Sequence, residues 1–160
     1  MTNFNYNNIM TKYIAIDGMS GSGKTYLSDL LAQRLSAEVL HLDDYGNDFE
    51  PFIGLTKLFD KINQSKAKII IYEGVGVFGD ELNNLKPFRI LVKSNDDIRN
   101  ERLYNRDALS PKHTKDEWVL IGKIWEDVEN KYFDNSLDNK ADLIIENNNK
   151  LDIDFVISKL

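Results

Sequence analysis

Eight consecutive residues constrain this chain more than any others. Gly18-Met19-Ser20-Gly21-Ser22-Gly23-Lys24-Thr25 fits the pattern G-x-x-x-x-G-K-[ST] at every fixed position. Three glycines let the backbone coil tightly, so that successive N–H groups can point inward at phosphate oxygens. The helix expected to open beside Lys24 adds the positive end of its dipole. Lys24 brings a mobile positive charge, and Thr25 a hydroxyl for a Mg²⁺ ion. The context is the one such a loop demands, a strand before it and an amphipathic helix after it.

The rest of the chain alternates in the same way. Tyr13-Ile14-Ala15-Ile16 reads as a buried parallel strand, and Thr25 to Leu35 as a helix with Leu27, Leu30, Leu31 and Leu35 on one face. Glu38 to Leu42 is a second strand, stopping at Asp43-Asp44, and Leu55, Leu58, Phe59 and Ile62 mark a second helix. Lys68 to Tyr72 and Phe88 to Val92 are further strands, the former ending at Glu73-Gly74. Ser94 or Asn95 caps a helix that Asp107 to Lys115, with Ser110-Pro111, interrupts. Trp118, Ile121, Trp125, Val128 and Tyr132 repeat at helical spacing, Asp142 to Glu146 is a fifth strand, and Ile153 to Leu160 a terminal helix. This alternation predicts an α/β fold, an open and mostly parallel five-stranded sheet with helices on both faces. Residues 1–11 read as a disordered leader, 12–160 as one domain with a lid around 99–115.

The chain has 160 residues, no cysteine and a net charge of −6. Disulfides and thiolate chemistry are thereby excluded, and the negative field argues against nucleic acid and anionic membrane as partners. A cytoplasmic location is the expectation.

In open parallel sheets ligands bind beyond the carboxyl ends of the strands, where Gly18, Asp43 and Glu73 all fall. Transfer of phosphate to an alcohol needs a base for the hydroxyl proton, and a metal-bridged phosphate needs a nearby carboxylate. Asp43 is read as the base, with Asp44 as its substitute, and Glu73, Asp43 and Thr25 as metal residues. Of five arginines, Arg99, Arg102 and Arg106 share one helix face, where guanidinium forks suit charge developing on a transferred group. His41 reads as a core residue, His113 as exposed, and the Trp118/Trp125 stripe as core. Tyr45, Phe49 and Phe52 fit either an acceptor pocket or the core. Guanine specificity would call for an [NT]-K-x-D run; none is read in the sequence, and the expected nucleotide is ATP.

These features together resemble the uridine kinase and nicotinamide riboside kinase branch of small-molecule P-loop kinases. Ala15-Ile16-Asp17-Gly18 through Thr25 resembles that family's A-I-D-G-x-S-G-S-G-K-T loop, and Asp43-Asp44-Tyr45 its D-[DS]-[FY] motif. Glu73-Gly74 is similar to its E-G, and Arg99, Arg102, Arg106 and Asp107 to its R-x-x-R-x-x-x-R-D lid. The resemblance implies an ATP- and Mg²⁺-dependent kinase acting on a small hydroxyl compound, a nucleoside or other ribose compound. Asp43 would be the catalytic base, Lys24 and the three arginines catalytic, residues 18–25 the nucleotide cradle, and Asp43, Asp44 and Tyr45 the acceptor side. Uridine kinases carry a longer segment after the second motif. Here only Gly46 to Leu55 intervenes, which leaves a sugar acid or nucleotide-sugar open as acceptor. A switch-type nucleotide-binding protein without an acceptor is the reading from another class.

Overall fold

The computed structural model describes residues 10–109, 112–134 and 136–160. Its strands are β1 (Lys12–Asp17), β2 (Glu38–His41), β3 (Ile69–Glu73), β4 (Phe88–Lys93) and β5 (Leu143–Glu146). They form one sheet in the order β2-β3-β1-β4-β5, and every neighbouring pair is parallel. Parallel neighbours cannot be joined by tight hairpins, so each connection crosses a face, and the helices cover both faces. The helices are α1 (Lys24–Leu35), α2 (Leu55–Gln64), α3 (Asp96–Leu109), α4 (Lys115–Tyr132), α5 (Ser136–Lys140) and α6 (Ile153–Lys159).

The period-2 alternation of the strands sorts the core into two layers. Ile14 and Ile16 of β1, Ile71 of β3, and Ile90 and Val92 of β4 pack against Leu27 and Leu31 of α1 and Val156 of α6. Ala15, Ile70, Tyr72 and Leu91 face the other way, onto Leu55, Leu58 and Ile62 of α2 and Leu137 of α5. The expected open parallel sheet with helices on both faces is the fold observed.

Local differences have local causes. Leu42 belongs to a 3₁₀ turn, Leu42–Asp44, which swings the chain off the end of β2. The third helix runs on to Leu109 instead of breaking at Asp107. The long fourth helix begins at Lys115, before its first apolar residue, because Thr114 and Glu117 form a capping box. The short α5 was not anticipated. Residues 1–9 of the leader expected over 1–11, and the Ser110-Pro111 break, lie outside the described residues. Among the described residues, no helix is long and apolar enough to cross a membrane.

Leu31 is fully buried between α1 and the sheet. Leu31→Ala removes several methylene contacts from a close-packed layer and is expected to lower the unfolding free energy by about 2–5 kcal/mol. Chemical denaturation checks this, and an unchanged midpoint would contradict the assigned packing.

Candidate active site

The glycine-rich loop hangs between β1 and α1 and is fastened at its start by Asp17. That carboxylate is wholly buried and accepts the N–H of Gly18 at 2.8 Å, of Gly76 at 3.2 Å and of Phe78 at 3.0 Å, and the Tyr132 hydroxyl at 2.7 Å. Burial pushes its pKa up, while these donors and the nearby Lys24 draw it back. Gly23 adopts φ +99°, and a Cβ there would collide with the side-chain amide of Asn147. Gly21, at φ +78°, lies against the Arg99 carbonyl, where a Cβ would come within 2.7 Å.

Within the loop some amides are committed and others are not. Gly18 donates to Asp17, Ser20 to Glu129 Oε1 at 2.6 Å, and Ser22 to the Met19 carbonyl at 3.1 Å. The N–H groups of Gly21, Gly23, Lys24 and Thr25 have no partner among the described residues. All four residues line one cleft of about 300 Å³. Lys24 Nζ rests on the Met19 carbonyl at 3.1 Å.

The other wall of the cleft brings Asp43, from the 3₁₀ turn after β2, together with Glu73 at the end of β3. Glu73 is buried, and its Oε1 accepts the Thr25 hydroxyl at 3.1 Å and meets His41 Nδ1 at 2.7 Å. His41 is thus a half-buried partner of the site acid, a role its place in a strand did not suggest. Asp43 remains open to solvent but is ringed by protein. That enclosure raises its pKa, and the charges of Glu73 and Asp48 push the same way, against Lys24 and Arg106.

Arg102 and Arg106 line the cleft; Arg99 does not. Arg102 donates to the carbonyls of Gly21, Ser22 and Asn147, bracing the loop from outside. Arg106 lies 6.0 Å from the Trp118 ring centroid. Arg99 is buried and donates to the Ser20 carbonyl and to Asp96. Met19 and Ser22 are loop residues outside the cleft wall, and Asp44 and Tyr45 are also absent from it. Asp44 is exposed, and Tyr45 packs against the α2-side core.

Several residues of the site escaped the sequence. Trp118, Ile121 and Trp125 of α4 line the cleft rather than filling the core. Asp48 accepts Lys112 Nζ at 2.6 Å and meets His113 Nε2 at 2.7 Å, and its carbonyl accepts Trp125 Nε1 at 2.9 Å. Burial pushes Asp48 up, but the Lys112 and His113 contacts outweigh it and hold the carboxyl below its ordinary range. His113, expected to be exposed, is instead enclosed edge-on between Phe49 and Trp118. Asn147 is buried, with its side-chain amide on the Ser22 carbonyl at 2.8 Å. The run Asn139-Lys140-Ala141-Asp142 does have the spacing [NT]-K-x-D, which sequence reading passed over. It lies at the amino end of β5, where Asp142 accepts the Arg89 N–H, on the sheet edge away from the cleft.

No known family profile matches the sequence, and no curated protein does. Solved structures do. Shikimate kinase from Acinetobacter baumannii in complex with shikimate superposes with a TM-score of 0.62 at 17% identity, over 92% of this chain and 90% of that one. The chain shares the α/β fold of that shikimate kinase. Shikimate kinase from Aquifex aeolicus gives 0.55 at 17% identity over 92% and 95%. A gluconokinase from Sinorhizobium meliloti gives 0.62 at 10% over 94% and 89%. The likeness is therefore one of fold.

The His41–Glu73 contact carries a pH signature. Its hydrogen bond to Glu73 raises the His41 pKa above the ordinary 6.5, burial opposing and the charges of Glu73, Asp44 and Asp29 assisting. A raised folded-state pKa means the stabilisation is fully present below 6.5 and is lost as pH climbs through the folded value. The stability gap between wild type and His41→Ala should therefore shrink on going from about pH 5.5 to 9. A gap constant across denaturation midpoints in that range would show an uncharged contact.

Proposed function

We propose that this chain is an ATP- and Mg²⁺-dependent phosphotransferase that moves the γ-phosphate onto a hydroxyl of a small molecule, with a nucleoside or another ribose compound as the acceptor class. The observation that carries the reading is the set of unpartnered amides at Gly21, Gly23, Lys24 and Thr25, opening beside Lys24 on the cleft that also holds Asp43. Unpaired N–H groups gathered at the start of a helix favour an anion, and a polyphosphate supplies several acceptor oxygens. The acceptor class comes from the resemblance of Asp43-Asp44-Tyr45 and the arginine stripe to uridine kinase-like sequences. A cytoplasmic setting suits such a donor.

Mg²⁺ takes hard oxygen ligands, commonly one or two carboxylates with substrate phosphates completing the shell. Thr25 Oγ1 and Glu73 Oε1 lie 3.1 Å apart on the cleft, a donor set of that kind that leaves Asp43 free to act on the acceptor. The ion would neutralise charge on the phosphate oxygens. Among the described residues no cluster of three acidic, histidine or cysteine ligands exists to hold it without phosphate.

The chain's own residues divide the work. Loop amides and Lys24 orient the phosphates, and Arg106 meets charge developing on the transferred group, with Arg102 at its shoulder. Asp43 takes the acceptor's hydroxyl proton on a carboxylate oxygen. Arg99, expected beside the other two arginines, is assigned here to bracing Ser20. Trp118, Ile121 and Trp125 give the acceptor side an apolar wall that limits water.

Asp43→Asn is expected to lower kcat by ~10²–10⁴-fold while Mg-ATP affinity stays within about twofold of wild type. The assay uses labelled ATP against a panel of nucleosides, sugars and sugar acids. Free phosphate as the sole product would favour a switch-type hydrolase instead. Because Asp43 must be ionised to accept a proton, the acidic limb of the kcat profile should lie above its ordinary pKa of 3.8. An unshifted limb, or a fully active Asn variant, would remove Asp43 as the base.

A further inference from the structure

Two successive peptide units are gripped at Ser20, Met19–Ser20 by its N–H and Ser20–Gly21 by its carbonyl. The N–H donates to Glu129 Oε1 at 2.6 Å, and the carbonyl accepts from Arg99 Nη1 at 2.8 Å. Glu129 comes from α4 and Arg99 from α3, and each is buried. The Arg99 guanidinium lies 3.7 Å from Glu129 Oε2 and also donates to Asp96 Oδ1 at 2.9 Å. A carboxyl only 5% exposed is costly unless hydrogen-bonded, and the Ser20 amide is what it bonds.

The grip comes from behind the loop. Glu129 and Arg99 line a neighbouring hollow of about 400 Å³ between α3 and α4, which shares Ser20, Leu103 and Trp125 with the cleft. Neither lines the cleft that holds Lys24, Asp43 and Glu73. The amides of the loop are thus divided. Ser20 is committed to the rear, while Gly21, Gly23, Lys24 and Thr25 are left without partners on the cleft side. The Ser20 carbonyl and the Gly21 N–H share one planar trans unit and point opposite ways. With the preceding unit tied to Glu129 and this carbonyl held by Arg99, the Gly21 N–H is turned away from the Arg99 side.

We propose that Glu129 is a positioning residue for the phosphate-binding loop, holding the Ser20 peptide turned to the rear so that the amides from Gly21 to Thr25 face a polyphosphate. The inference rests on the phosphotransferase reading, because it needs a phosphate chain in the cleft. Glu129 acts through Ser20 and touches no reacting atom. A carboxylate so near an anion site invites the opposite account, in which Glu129 competes with phosphate for the loop. The two accounts predict opposite signs.

Binding of tripolyphosphate and of Mg-ATP is measured by calorimetry for wild type, Glu129→Ala and Glu129→Gln. Glutamine keeps an oxygen that can accept the Ser20 N–H, so it should bind within about twofold of wild type, whereas alanine should bind about 10–100-fold more weakly. Tighter binding by both variants would make Glu129 a competitor and overturn the proposal, as would an unchanged alanine variant. Wild type that binds neither probe would sink the phosphotransferase reading as well, whereas unchanged variants beside a binding wild type would sink only this one. Losing Glu129 takes one of two acids from the buried Arg99 and leaves it Asp96, so the alanine variant can fail to fold. Residue-resolved amide exchange on unliganded wild type covers that case. Ser20 should exchange slowly, and Gly21, Gly23 and Lys24 quickly until tripolyphosphate protects them. A Ser20 amide as fast as its neighbours would overturn the proposal.

Discussion

A carboxylate with no access to water sits where the central strand ends, and the site is assembled around its need for donors. Asp17 takes amides from the start of the glycine-rich loop and from the segment after β3, and a hydroxyl from the end of α4. Leaving any of these out would strand a buried acid without a partner, which costs far more than an average hydrogen bond contributes. Three pieces of chain far apart in sequence are therefore held in one arrangement, and they supply the cleft with Lys24, Val75 and Trp125.

On that base the charges are laid out in two groups. Lys24, Arg102 and Arg106 belong to the loop side and α3, while Asp43, Asp48 and Glu73 come from the ends of β2 and β3 and the segment between β2 and α2. A donor anion and a neutral hydroxyl compound meeting between them would each face the polarity that suits it. Asp43, ringed by protein and beside Glu73 and Asp48, keeps an affinity for protons above that of a free aspartate.

Much of this was readable in the sequence, because strands such as Lys68 to Tyr72 announce themselves by β-branched residues, and the glycine-rich loop has fixed spacing. What failed to show depends on contacts between distant segments. The arginines at 99, 102 and 106 do share a helix face. Seven residues of helix nevertheless cover roughly 10 Å along its axis, so Arg99 reaches the rear of the loop and Arg106 the cleft. Glu129, Asp48 and His113 carry no local pattern that would pair them with Ser20 or with one another. Thr114 and Glu117 did carry a capping signal, but it lay inside a polar stretch read as a break. Helix α5, at five residues, is too short to show a period.

The register of the sheet has a consequence for biosynthesis. Lys12 of β1 lies opposite Ile69 and Ile14 opposite Phe88, so the middle strand leaves the ribosome long before either neighbour exists. Until then its two edges stay open to foreign strands, and closure over such distances is slow. Newly made chains would be most prone to aggregate during that interval, and a chaperone that shields Tyr13 to Ile16 would raise the yield without altering the finished molecule.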